Sequence, residues 1–177
     1  AVRRQEENIY RKRLRLANPE MARFKDLILY NLEAGQAVLT DNNDVRIYKD
    51  GREKFQALLT EMEQAKRYIH MQYYIIKNDE LWQAIEPVLK RKVKEGVAVR
   101  ILFDSMGCRT MKNRDWERLE RAGIEVAEFF PALLGNLQLR INYRNHRKIV
   151  VIDGRIGFVG GFNVGREYIG LDEKFGY

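Results

Sequence analysis

Residues 145–163 read NHRKIVVIDGRIGFVGGFN, and this stretch gathers the side chains best suited to chemistry. His146 stands two positions before Lys148, four residues separate Lys148 from Asp153, and six more lead to Gly160, Gly161 and Asn163. A neutral imidazole is a nucleophile. An ammonium beside it neutralises charge developing on phosphoryl oxygens. The pair is suited to attack at phosphorus. Ile149, Val150, Val151 and Ile152 favour a strand, and Asp153-Gly154 favours a tight turn. Residues two apart on a strand share a face, so His146 and Lys148 are expected to point the same way. The same residues also describe an ordinary hairpin. The two readings are compatible, because the turn can be what fixes Asp153.

Around this stretch, residues 140–155 carry five basic side chains (Arg140, Arg144, Arg147, Lys148, Arg155) against one acid, Asp153. Such a patch concentrates an anionic substrate. The chain as a whole carries a formal charge of +7. That favours a phosphate-bearing partner, lipid or nucleic acid, without choosing between them.

The elements that must position these residues follow from periodicity. Asn18-Pro19-Glu20 is a helix start, and Met21, Phe24, Leu27, Ile28 and Leu32 form an apolar stripe ending at Gly35. The stripe packs on a core or lies on a membrane. Val45 to Tyr48 is a short strand. Phe55, Leu58, Leu59 and Met62 mark a helix, and Tyr68 to Ile76 a strand buried on both faces. Asn78-Asp79 caps a helix through Leu89 that contains Pro87. Val97 to Phe103 is a strand ending at Asp104. Trp116, Leu119 and Ala122 fit a helix closed by Gly123, followed by a strand from Glu125 to Phe130. Pro131 to Leu139 is apolar and irregular, either a lipid-facing entrance or a covered loop. This alternation predicts an α/β domain with a mixed, largely parallel β-sheet flanked by helices. The boundaries expected are a basic segment and amphipathic helix over 1–40 and the α/β domain over 41–177.

Two further residues invite a functional reading. His70 has no Cys or His partner nearby and reads as a core or strand-end histidine. It shares a strand face with Gln72 and Tyr74. Asp104, at a strand end, reads first as a loop-capping acid and second as a catalytic one. Cys108 is the single cysteine, so no internal disulfide forms. No ligand-spaced Cys or His cluster predicts a zinc site. No apolar run reaches the roughly 18 residues a membrane helix needs. The chain starts at Ala1 without a signal-peptide pattern and is expected to be a piece of something longer. Residues 1–18 hold six basic and two acidic side chains, which suits either a juxtamembrane segment on anionic lipid or a solvated helix end.

The pattern H-x-K-x4-D-x6-G-G-x-N resembles the HKD signature of the phospholipase D superfamily. Asn142 to Lys148, Gly160 to Gly165 and Lys174 to Tyr177 resemble bacterial cardiolipin synthases in particular. The likeness runs from about Asp44 to the C-terminus and is most specific in the last third. It implies a phospholipase D-like fold, here one half of a two-motif enzyme. It implies that His146 becomes a phosphohistidine, that Lys148 and Asn163 hold phosphoryl oxygens, and that Gly160 and Gly161 admit the phosphate. Asp153 is carried over as the third motif residue; it can offset the lysine charge or tie down the turn, and is not read as a proton donor. No metal or cofactor is implied. The implied partners are phosphatidylglycerol and other anionic phospholipid, with no nucleic acid, at the bacterial cell membrane through segments this chain lacks.

The reaction needs a general acid for the leaving alkoxide, and the resemblance supplies it from a second HKD motif. His70-Met71-Gln72 is not such a motif. The second half is therefore expected from the rest of a longer protein or from a second copy, and this chain alone is expected to be inactive. The family orients the nucleophilic histidine with an acid on a later strand; Glu167 is the one nearby stand-in and a poor one. Two alternatives stay open: a single-motif homodimeric phosphodiesterase, and a non-catalytic module binding anionic lipid.

Overall fold

The computed structural model describes residues 19–40, 42–129 and 144–174. The segment before Pro19, the apolar stretch after Pro131, and Phe175 to Tyr177 lie outside them. The chain divides into two units, Ala1–Ile47 and Tyr48–Tyr177.

In the first unit a 3₁₀ turn, Pro19–Phe24, leads into helix α1, Lys25–Gly35. Gln36 ends it in the left-handed conformation, φ 50°. The apolar stripe read from sequence is split. Ile28 and Leu32 are buried, but Phe24 and Leu27 are exposed, as is Tyr30. A 3₁₀ turn advances about 3.0 residues per turn rather than 3.6, which moves Met21 and Phe24 out of phase with α1. The strand expected from Val45 to Tyr48 does not form, and Val45 and Ile47 face solvent.

The second unit is a five-stranded mixed sheet in the order β3-β2-β1-β4-β5. Strands β1 (Tyr68–Tyr73), β2 (Ala98–Asp104) and β3 (Glu125–Phe129) run parallel. Strands β4 (Ile149–Ile152) and β5 (Ile156–Val159) form a hairpin, and β4 pairs antiparallel with β1. The helices are α2 (Gly51–Gln64), α3 (Glu80–Lys94) and α4 (Asn113–Arg121). Asp50 and Asp79 cap α2 and α3 by accepting from the first-turn amides. Pro87 sits inside α3 without ending it. Both Pro87 and Gln83, whose carbonyl loses its amide partner, face solvent, where water can take the lost bond.

Phe55, Leu58 and Met62 of α2, Trp82, Ile85 and Leu89 of α3, and Trp116 and Leu119 of α4 share one core with Ile69, Met71, Val99, Ile101, Val150 and Ile152. β1 therefore alternates rather than being buried on both faces: Ile69, Met71 and Tyr73 point into the core, and His70 and Gln72 are half-exposed on the other side. No helix among the described residues is long and apolar enough to cross a membrane.

Candidate active site

The site lies where β1 ends and β4 begins. His146 is exposed and Lys148 is buried, 6% accessible. The Lys148 ammonium donates to the His146 main-chain carbonyl at 2.7 Å. Both side chains reach the same ring. Tyr74, just past β1, has its centroid 4.8 Å from the His146 imidazole and 5.4 Å from Lys148 Nζ. Burial holds the lysine below its ordinary pKa, and no carboxylate among the described residues opposes that.

Gly160 crosses opposite Lys148 and donates its amide to the Lys148 carbonyl at 3.3 Å. A methyl group built on Gly160 or Gly161 would meet nothing within 4 Å. Neither glycine has a positive φ. Backbone geometry does not require glycine here; open space for a ligand is the better reason.

Asp153 is not brought to this site. It follows β4, five residues beyond Lys148, or about 17 Å along an extended chain. Its carboxylate accepts from the amides of Lys66 (2.8 Å), Arg67 (2.8 Å) and Tyr68 (2.9 Å), at the entrance to β1. Burial pushes its pKa up. The amides of Tyr68, Lys66 and Arg67, with the Arg67 guanidinium, outweigh that and hold it below the ordinary value. Of its two possible roles, the geometry supports tying down the turn and not offsetting the lysine. The turn itself has φ 56° at Asp153 and 70° at Gly154, with the Arg155 amide donating to the Ile152 carbonyl, as an Asp-Gly hairpin turn requires.

Asn163 is buried, with both ends of its amide engaged. Oδ1 accepts from the Ile75 amide at 3.1 Å and Nδ2 donates to the Tyr168 hydroxyl at 2.7 Å. One Nδ2 proton remains for a ligand. Asn163 thus joins the glycine loop to the chain just after Tyr74.

Asp104 is fully buried at the end of β2. Its carboxylate accepts from the amides of Met106 and Asn145, both at 3.0 Å. It caps the loop and also holds the residue before His146. Glu167 Oε1 pairs with Lys77 at 2.7 Å, while its buried Oε2 has no hydrogen-bond partner among the described residues. His70 stacks on Tyr68, centroids 4.5 Å apart, along β1 from the site. Among the described residues no group of three His, Cys, Asp or Glu side chains is placed to hold a metal ion. Sequence reasoning missed Tyr74 as a site residue. The available signal was its period-two relation to His70 and Gln72, which runs along β1 toward His146.

The family described as "Cardiolipin synthase, PLD-like domain" matches residues 58–173. The chain belongs to this family. It is 50% identical over 159 residues to a cardiolipin synthase of Oceanobacillus iheyensis, covering 90% of this chain and 33% of that protein. It is 47% identical over 176 residues to the major cardiolipin synthase ClsA of Bacillus subtilis, covering 99% of this chain and 36% of that one. The chain spans about a third of the length of these curated relatives. Among solved structures, NucT from Helicobacter pylori superposes with a TM-score of 0.50 at 19% identity, over 67% of this chain and 72% of that one. That likeness shows a shared fold. The mixed α/β architecture read from the sequence is the observed one.

Proposed function

We propose that this chain supplies one histidine–lysine half of the active site of a phosphatidyltransferase that makes cardiolipin. The observation carrying this reading is that His146 and Lys148 flank one ring at a strand end, the histidine exposed and the ammonium free of any described carboxylate. Sequence identity to cardiolipin synthases supports cardiolipin as the product.

In the first step an imidazole nitrogen of His146 attacks the phosphorus of a phosphatidylglycerol. The N–P bond forms, the P–O bond to the headgroup glycerol breaks, and glycerol leaves with a proton from a general acid. Lys148 offsets charge on the phosphoryl oxygens. The open backbone at Gly160 and Gly161 admits the phosphate, and the remaining Asn163 Nδ2 proton is left to donate to it. In the second step a hydroxyl of another phosphatidylglycerol attacks the phosphohistidine. It loses its proton to the same acid–base group, restores the imidazole and gives cardiolipin. The general acid comes from a second motif, in the remainder of the protein or in a second copy. The full protein works at the bacterial membrane on anionic phospholipid.

The longer parent protein, given phosphatidylglycerol in micelles and separately a single-stranded oligonucleotide, tests this. Cardiolipin formation that disappears in His146→Ala supports the reading. Nucleotide release that disappears in the same variant replaces it with a phosphodiesterase. Neither activity in the wild type leaves a lipid-binding module.

A further inference from the structure

Four residues after β1 are fixed with unusual completeness. The Tyr74 carbonyl accepts from the Cys108 thiol at 3.5 Å, and the Ile76 amide donates to the same sulfur at 3.2 Å. Burial pushes the Cys108 pKa up to about 12, so the thiol keeps its proton and can donate. The Ile75 amide donates to Asn163 Oδ1. The Ile75 carbonyl accepts from Val164, and the Lys77 amide donates to the Val164 carbonyl. A methyl group on Gly107 would lie 2.0 Å from the Tyr74 carbonyl oxygen, so the loop after β2 is in direct contact with this backbone. The chain's one cysteine and the motif asparagine both hold the segment that presents Tyr74.

The ring so held touches both reacting groups. It stands 58° from the plane of the His146 imidazole and presents itself to the Lys148 ammonium. Lys148 in turn bonds the His146 carbonyl, closing a three-residue cluster. No described carboxylate bonds the His146 ring, and Glu167 Oε1 is paired with Lys77.

We propose that Tyr74 is a positioning residue of the transfer reaction: its aromatic ring fixes the angle of the His146 imidazole and keeps the Lys148 ammonium charged beside it. This rests on His146 being the nucleophile. An imidazole that swings by an ångström before attack, or while it carries the phosphatidyl group, loses about 10²-fold in rate. A π-face stabilises the charged form of an amine over the neutral one. The role belongs to the ring and not to the hydroxyl.

The test uses the full-length enzyme with phosphatidylglycerol micelles, comparing Tyr74→Phe, Tyr74→Leu, Tyr74→Met and His146→Ala. Tyr74→Phe is expected to stay within about threefold of wild type, and Tyr74→Leu to lose about 10²-fold in kcat with KM within about threefold. Tyr74→Met offers a longer, flexible apolar chain without a π-face and should fail like Leu, which shows that another apolar shape does not replace the ring. Leu or Met variants keeping wild-type kcat would overturn the proposal, as would a Phe variant as poor as Leu. Turnover surviving in His146→Ala would instead sink the assignment of the nucleophile on which the proposal stands.

Discussion

Replacing Asp153 separates the two roles a motif acid can have. Its carboxylate receives three backbone amides, with Oδ1 taking Arg67 and Tyr68 and Oδ2 taking Lys66. A bond to a charged group contributes about 1.5–3 kcal/mol where water cannot replace it. The Lys66 and Arg67 bonds are exposed, so the three together are better placed at about 2 kcal/mol. Asp153→Ala loses all of them and also puts alanine at φ 56°, which costs about 1–2 kcal/mol more. At about 2–4 °C per kcal/mol for a domain of this size, the melting temperature should fall by about 10 °C. Asp153→Asn keeps one acceptor and tolerates the left-handed conformation, so it should lose about 1 kcal/mol. The pH dependence carries the signature. The folded pKa lies below the ordinary 3.8, so the unfolded chain takes up the proton first as pH falls. The stabilisation is therefore complete above that value and is lost as pH drops through the folded pKa, and the gap between wild type and Asp153→Asn should close there. Thermal melts from pH 7 to about pH 2 measure this, with kcat of the full-length variant alongside. An Asp153→Asn protein that melts like wild type but has lost turnover would show the carboxylate acting in the chemistry, and the reasoning would be wrong.

Lys148→Met should lower kcat by about 10²–10³-fold, the cost of removing one charge-stabilising group. The wild-type activity should fall with rising pH before the ordinary lysine value of 10.5, since burial lowers the Lys148 pKa; a pH–rate profile reads this. Gly107→Ala must displace the Tyr74 backbone, because the added carbon would sit 2.0 Å from its oxygen. It should lose about 1–3 kcal/mol of stability by urea unfolding. Lys54, half-buried on α2 with its ammonium bonded to the Tyr73 hydroxyl, has its pKa lowered to about 7 by burial. The unfolded chain holds that proton up to 10.5, so stability should rise with pH between those values. Urea melts should show Lys54→Met removing the rise; an unchanged slope would place the group in solvent.

The sequence made the motif and the alternation of elements legible because both depend on local periodicity. Strands β1 to β3, with the helices between them, needed only the change from period two to period 3.6. The Val45 strand failed because β-propensity there has no neighbouring strand to satisfy it: both apolar side chains point to solvent. The stripe failed at Phe24 because a 3₁₀ turn changes the phase, which no apolar count detects, and at Leu27 because only Ile28 and Leu32 of α1 are buried. Asp104 and Tyr74 were harder for another reason. Each reaches the motif across a long loop in sequence, Asp104 through the Asn145 amide and Tyr74 through the His146 ring. Pairings of that kind are set by sheet order, β2-β1-β4, and single-sequence reading does not supply sheet order.

The spacing of the motif is itself a statement about this sheet. The four residues between Lys148 and Asp153 are strand β4, Ile149 to Ile152. The six after Asp153 contain the turn and strand β5, Ile156 to Val159. Antiparallel return then sets Gly160 across from Lys148, where its amide meets the lysine carbonyl. Adding or removing one residue in either strand would turn its side chains to the opposite face. It would also move Gly160 away from Lys148, or lift the Asp153 carboxylate off Lys66, Arg67 and Tyr68. The fixed offsets are therefore the length of one hairpin, anchored at its turn by Asp153 and read out at its open end by His146 and Lys148. The residues of one motif divide between these two ends: Asp153 at the turn, bonded to the start of β1, and His146 and Lys148 at the open end, beside Tyr74.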